Sequence, residues 1–367
     1  MKQALLMAEF YSTPWALQPE RLAAFGSMLQ RWQGGAPASA GVLTRVAADR
    51  GNLAARNAEA LRRQEAARVG QDANIAVLTL YGVITQRGNQ VDEVSGPGST
   101  STQKFTAAMR AALQDPSVDA ILVDIDSPGG SVYGVDELAT EMIASRTIKP
   151  IYGLANSLAA SAAYWLGAAC SELYVTPGGE VGSIGVWMAH EDVSQAMDDA
   201  GVKVTLISGG KYKTEGNAYE PLSQEAQAFM QSRVNDYHQT FIRTVAKGRR
   251  VSTDVVRRDF GQGRVYGASQ ALTAGMVNGV MTLDQVVGKM GRDLKTGRHN
   301  QANRAPGAYR LAHYQRVLEI EQLSNPVATP QLDKAKRVMN RIDGDAADPT
   351  HRPARSEAAL RYLDSLK

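Results

Sequence analysis

Apolar residues keep two different rhythms along this 367-residue chain, and the change of rhythm divides it. From Pro19 to Trp32 they fall at Leu22, Phe25, Met28, Leu29 and Trp32, a helical spacing behind a proline start. A Gly/Ala/Ser/Pro linker follows from Gly34 to Gly41, and Asn52 to Arg68 then reads as a charged helix with few large apolar groups. Residues 1 to 73 are therefore expected to form a helical N-terminal arm and linker without a catalytic residue.

From about Asn74 the rhythm shortens. "IAVLTLYGVI" (Ile75 to Ile84), "VDAILVDID" (Val118 to Asp126), "PIYGLA", "SELYVTP", "VGSIGVW" and "VKVTLIS" (Val202 to Ser208) read as strands. Gln103 to Leu113, Val135 to Ser145 and Ser223 to Arg243 read as helices, the last opened by Ser223 with Glu225 in its first turn. Gly275 in "SQALTAGMV" fits a helix stop. Strands alternating with helices over residues 74 to 290 imply an α/β fold with a largely parallel, covered sheet. Beyond Gly291, Pro, Asn, Asp and Gly cut the sequence into short helical fragments. Residues 291 to 367 carry 14 Lys/Arg against 9 Asp/Glu and are expected to be a basic, partly disordered extension.

Composition narrows the chemistry. Forty basic residues against 37 acidic ones give a net charge of +3, which offers no general case for a nucleic-acid partner. No segment reaches the eighteen or so apolar residues of a membrane span, and the short apolar patch at the N-terminus is broken by Glu9, so neither a membrane anchor nor a signal peptide is expected and the cytoplasm is the expected compartment. Cys170 is the single cysteine, and its apolar flanks suit a buried thiol better than a nucleophile. The five histidines show no paired ligand spacing, so no metal or other cofactor is expected.

Three stretches carry candidate chemistry. In "DIDSPGGSVYG" a buried strand ends at Asp126 and turns through Pro128, Gly129 and Gly130, whose unobstructed N–H groups suit an oxyanion. In "NSLAASAAYW" Ser161 stands at a helix start among alanines, where partial positive charge favours an alkoxide; alone, this stretch reads first as a buried helix with a satisfied serine. "ISGGKYKTEGNAYEPLS" is a glycine-flanked loop with Lys211 and Lys213, and a lysine serves as a base only once burial lowers its pKa from ~10.4 toward neutral. Both lysines also read as ordinary surface charges. The alanine flanks of Ser161 exclude the G-x-S-x-G elbow of α/β-hydrolases.

Together, "SPGG", "AAS" before an aromatic, "GSIGV" and "G-x-Y-K" resemble in order and spacing the signal peptide peptidase A (protease IV) family of the Clp protease and crotonase group. Over about residues 74 to 288 the chain is most similar to the tailed-phage branch, the capsid protein C-like head maturation proteases, through "EVGSIGVW", "HEDVS", "YKTEGNAYEPLS", "GRVYGASQAL" and the early "STPWAL". The resemblance implies a Clp/crotonase-like spiral of ββα units, Ser161 as nucleophile, Lys213 as general base, Ser183 as the hydroxyl that orients the lysine, and Gly129 and Gly130 on the oxyanion turn. It implies polypeptide substrates (scaffold, capsid or portal proteins), a homo-oligomer whose sites can be completed between subunits, and a place in the host cytoplasm or prohead. Asp126 departs from the asparagine usual before "SPGG" in the cellular and Clp-type enzymes.

Other readings stand beside a Ser-Lys endopeptidase. A Clp-type Ser-His-Asp triad would need His190, which lies beside two acids in "MAHEDVS" and reads as a loop histidine. A crotonase-type acyl-CoA enzyme shares the oxyanion turn but gives no reason for pairing Ser161 with Lys213. A catalytically idle capsid-assembly or scaffold-binding protein on the same fold would account for the sequence outside the core.

Overall fold

The computed structural model describes residues 13–18, 73–87 and 99–296. The arm helices expected at Pro19 to Trp32 and Asn52 to Arg68, and the fragments expected beyond residue 296, lie outside the described residues. The strands are β1 (Trp15–Leu17), β2 (Ile75–Tyr81), β3 (Val83–Thr85), β4 (Ser99–Ser101), β5 (Ala120–Ser127), β6 (Gly129–Ser131), β7 (Ile151–Ala160), β8 (Glu172–Val175), β9 (Glu180–Gly182), β10 (Val265–Gly267) and β11 (Gly279–Val280). The helices are α1 (Thr102–Gln114), α2 (Val135–Ser145), α3 (Ala162–Ala168), α4 (Ser194–Asp199), α5 (Gln224–Arg249), α6 (Thr253–Asp259), α7 (Ala268–Thr273) and α8 (Leu283–Lys295).

The major sheet runs β10-β9-β7-β5-β2, with β8 beside β7 and β11 beside β8. Its centre, β2, β5, β7 and β8, is parallel. Alternate residues of these strands enter two separate cores. Leu80, Ile121, Val123, Ile125, Ile151 and Ala155 pack with α1, α2, α3 and α5 on one face, while Ile75, Leu122, Tyr152 and Leu154 pack with Val286, Met290 and Leu294 of α8 on the other. Burial on both faces is why β5 reads as a continuous apolar run up to Asp124.

A minor sheet, ordered β1-β6-β3-β4, lies at the end of the strands. Its two inner members come from breaks in the long apolar runs: Gly82, at φ 67°, separates β2 from β3, and Pro128 separates β5 from β6. Major-sheet strand, minor-sheet strand, helix thus recurs as β2-β3-α1, with β4 added, and as β5-β6-α2. This is the α/β arrangement of ββα units that the sequence led us to expect.

Three expectations change. "VKVTLIS" forms no strand, and every residue from Val202 to Ser208 is exposed. "VGSIGVW" is a strand only to Gly182; the rest is irregular backbone ending in a bridge between Trp187 and Trp15. The folded body also exceeds the expected 74 to 290 at both ends, since β1 joins the minor sheet and α8 runs to Lys295 with Asp293 and Leu294 buried.

Helices α3 and α5 touch backbone to backbone. A β-carbon on Gly248 of α5 would fall 2.2 Å from the carbonyl oxygen of Ala168 in α3. Arg146 closes this junction: its Nε donates to the Ala169 carbonyl at 2.8 Å, Nη2 to Ala168 at 3.0 Å and Nη1 to Gly248 at 3.1 Å. Burial lowers its pKa to about 10, and it stays charged at neutral pH. Arg146→Ala would leave these carbonyls without their charged donor, so chemical denaturation should show a loss of about 2–4 kcal/mol. An unchanged denaturation midpoint would remove this junction from the account of stability.

Candidate active site

Ser161 stands where β7, a central strand, must become α3. It makes the change alone, with φ 56° and ψ −120°. Few residues other than glycine adopt a positive φ, and only four do among the described residues; Ser161 and Ser183 are two of them. The turn is pinned on both sides: the Ser161 N–H donates to the Gly182 carbonyl at 2.7 Å, and the Ser161 carbonyl accepts from Trp165 N–H at 2.9 Å. The side chain does not cap its own helix, and its Oγ is buried with no hydrogen-bond partner among the described residues. A buried hydroxyl that makes no bond, on a strained backbone, is arranged for something other than stability.

The glycine turn lies against it. Gly129, at φ 101°, has no room for a side chain, because a β-carbon there would sit 2.9 Å from the Ser161 β-carbon and 2.2 Å from the Ala16 carbonyl oxygen. At Gly130 a β-carbon would meet the Ile84 carbonyl oxygen at 1.9 Å, so β6 can pack onto β3 only as glycine. Ser127 braces the turn, its hydroxyl donating to the Gly82 carbonyl at 2.6 Å and accepting from Gly129 N–H at 3.2 Å. That long bond already engages one of the two expected oxyanion donors. Sequence reasoning missed Ser127, although "DSPGG" places it directly before the turn. Asp126, the departure from the usual asparagine, accepts from Ser157 Oγ at 3.2 Å and through its carbonyl from Gly82 N–H at 3.0 Å.

Ser183 is brought to the same place. Its neighbour Gly182 pairs with Ala160 and bonds Ser161, and Ser183 is itself buried, with its N–H donating to the Arg264 carbonyl at 2.7 Å. Lys213 is not brought there. It is exposed in a turn, and no lysine bonds Ser161 Oγ. The loop around it is nevertheless held: Tyr212 Oη donates to Glu225 at 2.8 Å, and Lys211 Nζ lies 3.1 Å from the same carboxylate oxygen, at the first turn of α5. His190 Nε2 lies 3.0 Å from the Asn217 carbonyl oxygen, so this histidine is engaged with the lysine loop rather than with Ser161. Cys170 is fully buried in the core, and burial pushes its thiol up to about 12, which removes it as a nucleophile.

Ser161 thus stands at a strained strand-to-helix turn, set against two glycines at the carboxyl end of a parallel sheet, on an α/β fold of ββα units. The model of peptidase family S49 matches residues 143–296, which include Ser161, Ser183 and Lys213. The chain is 36% identical over 204 residues to the capsid assembly protease C of Escherichia phage lambda, covering 56% of this chain and 46% of that protein. It is 32% identical over 222 residues to the head-tail preconnector protein GP5 of Enterobacteria phage P21, covering 60% and 44%. It is 30% identical over 187 residues to the putative protease slr0021 of Synechocystis, covering 51% and 67%. The chain belongs to peptidase family S49, and it spans less than half the length of the two phage relatives.

If the Ser161 backbone is held against its own preference, Ser161→Gly should raise the thermal midpoint. Relief of about 1–3 kcal/mol of strain outweighs the ~0.5–1 kcal/mol entropic cost of glycine. A lowered midpoint in calorimetry would show that the hydroxyl stabilises the fold.

Proposed function

We propose that this chain is a serine endopeptidase in which Ser161 is the nucleophile and Lys213 of a neighbouring copy is the general base. The observation that carries the reading is Ser161 itself, a buried, strained and unbonded hydroxyl against a glycine turn in a chain of a peptidase family. The lysine takes the Oγ proton as Oγ attacks the scissile carbonyl carbon. Backbone N–H groups at Gly129 and Gly130 face the oxyanion, and Gly129 exchanges its bond to Ser127 for that contact. The ammonium then protonates the departing amine, leaving an acyl ester on Ser161. A water deprotonated by the same lysine releases the acid and restores the serine. Ser183 orients the lysine as a second hydroxyl beside the nucleophile.

Completion between copies is supported by the segment ahead of Lys213. Val202, Val204, Leu206 and Ile207 are all exposed, Ile207 at 96%, in a stretch whose pattern calls for strand pairing but which has no strand partner among the described residues. A second copy that covers this segment would also remove water from Lys213, the condition under which an amine acts as a base near neutral pH. With two phage relatives, one of them a capsid assembly protease, we take the substrates to be scaffold, capsid or portal polypeptides cut in the host cytoplasm or prohead. No helix among the described residues is long and apolar enough to cross a membrane.

Ser161→Ala and Lys213→Ala, each co-expressed with the phage's capsid and scaffold genes, should each cut processing by at least about a thousandfold, read from the termini of the head proteins. Processing that persists in either variant would overturn the assignment and favour the idle-assembly reading. Mixing equal amounts of the two inactive proteins and allowing them to exchange should restore both groups to about a quarter of the sites. No recovery on mixing would place both groups within one copy.

A further inference from the structure

The strand β1 is the one strand or helix of the expected N-terminal arm among the described residues, and it lies in a particular place. It pairs antiparallel with β6, Trp15 opposite Ser131, Ala16 opposite Gly130 and Leu17 opposite Gly129. On its other edge the Trp15 N–H donates to the Trp187 carbonyl at 2.8 Å, and Trp187 N–H returns a bond to Trp15 at 3.0 Å. Gln18 N–H reaches the Pro128 carbonyl at 3.1 Å, Val132 N–H reaches Pro14 at 3.3 Å, and Trp187 Nε1 donates to the Leu17 carbonyl at 3.1 Å. All three residues of β1 are buried, Ala16 completely.

These contacts describe a slot with two backbone edges, one on the glycine strand and one at Trp187. It is filled by a segment far removed in sequence from either. Main-chain bonds hold an added strand whatever its sequence, and alternate side chains give selectivity. The middle residue of the occupant, Ala16, is fully buried between Trp15 and Leu17, and its backbone lies so close to the glycine turn that a β-carbon at Gly129 would meet the Ala16 carbonyl oxygen at 2.2 Å and the Ser161 β-carbon at 2.9 Å. Beside this occupant Ser161 Oγ is closed off from solvent.

We propose that this slot binds one extended polypeptide strand with a small residue between two large apolar ones, and that Trp15–Leu17 is its built-in occupant, which holds Ser161 closed until it is displaced. The proposal rests on Ser161 being the nucleophile, but its test needs no catalysis. In full-length Ser161→Cys protein, alkylation of the introduced thiol reports whether the site is open, and Cys170, buried and with its thiol pushed up to about 12, reports whether the fold has opened instead.

Alkylation should be slow in this parent. It should rise roughly tenfold or more when Trp15→Ala or Gln18→Pro is added, because each loosens β1 at one edge. The Gln18→Pro change removes a single N–H donor from a half-buried position and leaves the core untouched. A synthetic peptide of residues 11–20 added to the loosened protein should slow alkylation again, with Cys170 unmodified throughout. Equal rates in the Gln18→Pro protein and its parent, or no slowing by the peptide, would overturn the built-in occupant while leaving the peptidase reading to its own test.

Discussion

A strand buried at the centre of a sheet cannot pass directly into a helix pointing back across it, and one residue must absorb the change of direction. In this chain that residue is Ser161, and its positive φ is held by bonds to Gly182 ahead of it and Trp165 behind it. The neighbouring strand cooperates. The register of β5 on β7 slips between Ile125 and Ser127, so that Ser127 stands opposite Ala159 and the glycine turn arrives beside the serine. Were Ser161 to relax, the pairing of β7 with β9, the start of α3 and the position of Ser183 would all shift with it.

The small residues around the serine follow from the same constraint. All seven residues of α3 are buried, between the sheet, α2 and α5. Gly167 faces Ile125 and Leu173, and Gly153 in β7 faces the Cys170 sulfur, so that α3 and the segment after it sit low on the sheet. On the far side Trp165 stacks on Phe241, ring centroids 4.3 Å apart and 7° from parallel. Close approach concentrates dispersion contacts, and it leaves the helix no room to adjust independently of its neighbours.

Much of this was legible in the sequence because it depends on local chemistry. β5 and β7 announced themselves through apolar runs, α5 through Ser223, and the tight turn beside Ser161 through "SPGG" and the alanines that follow. Ser127 aside, what escaped notice had no local signal. β6 is Gly-Gly-Ser, which has no strand propensity and pairs only because its neighbours supply the edges. β1 is three residues long, too short for any period to register. "VKVTLIS" erred in the other direction: alternating apolar residues promise a strand, but pairing needs a second edge, and none among the described residues supplies it. The separation of Lys213 from Ser161 likewise depends on tertiary placement, about which a motif says nothing.

Gly248 in α5 looks in the sequence like a defect in a good helix. Because it lets α5 touch α3 backbone to backbone, the 26-residue helix acts as a strut about 39 Å long, seated at one end on the helix that follows Ser161. Its opposite end carries Glu225, to which the turn before Lys213 is tied. Ser161 and the lysine loop are therefore mounted on the two ends of one helix. The distance between that loop and Ser161 is thus set by the length of a single helix, so that lengthening or shortening α5 by a turn would move one relative to the other by about 5 Å.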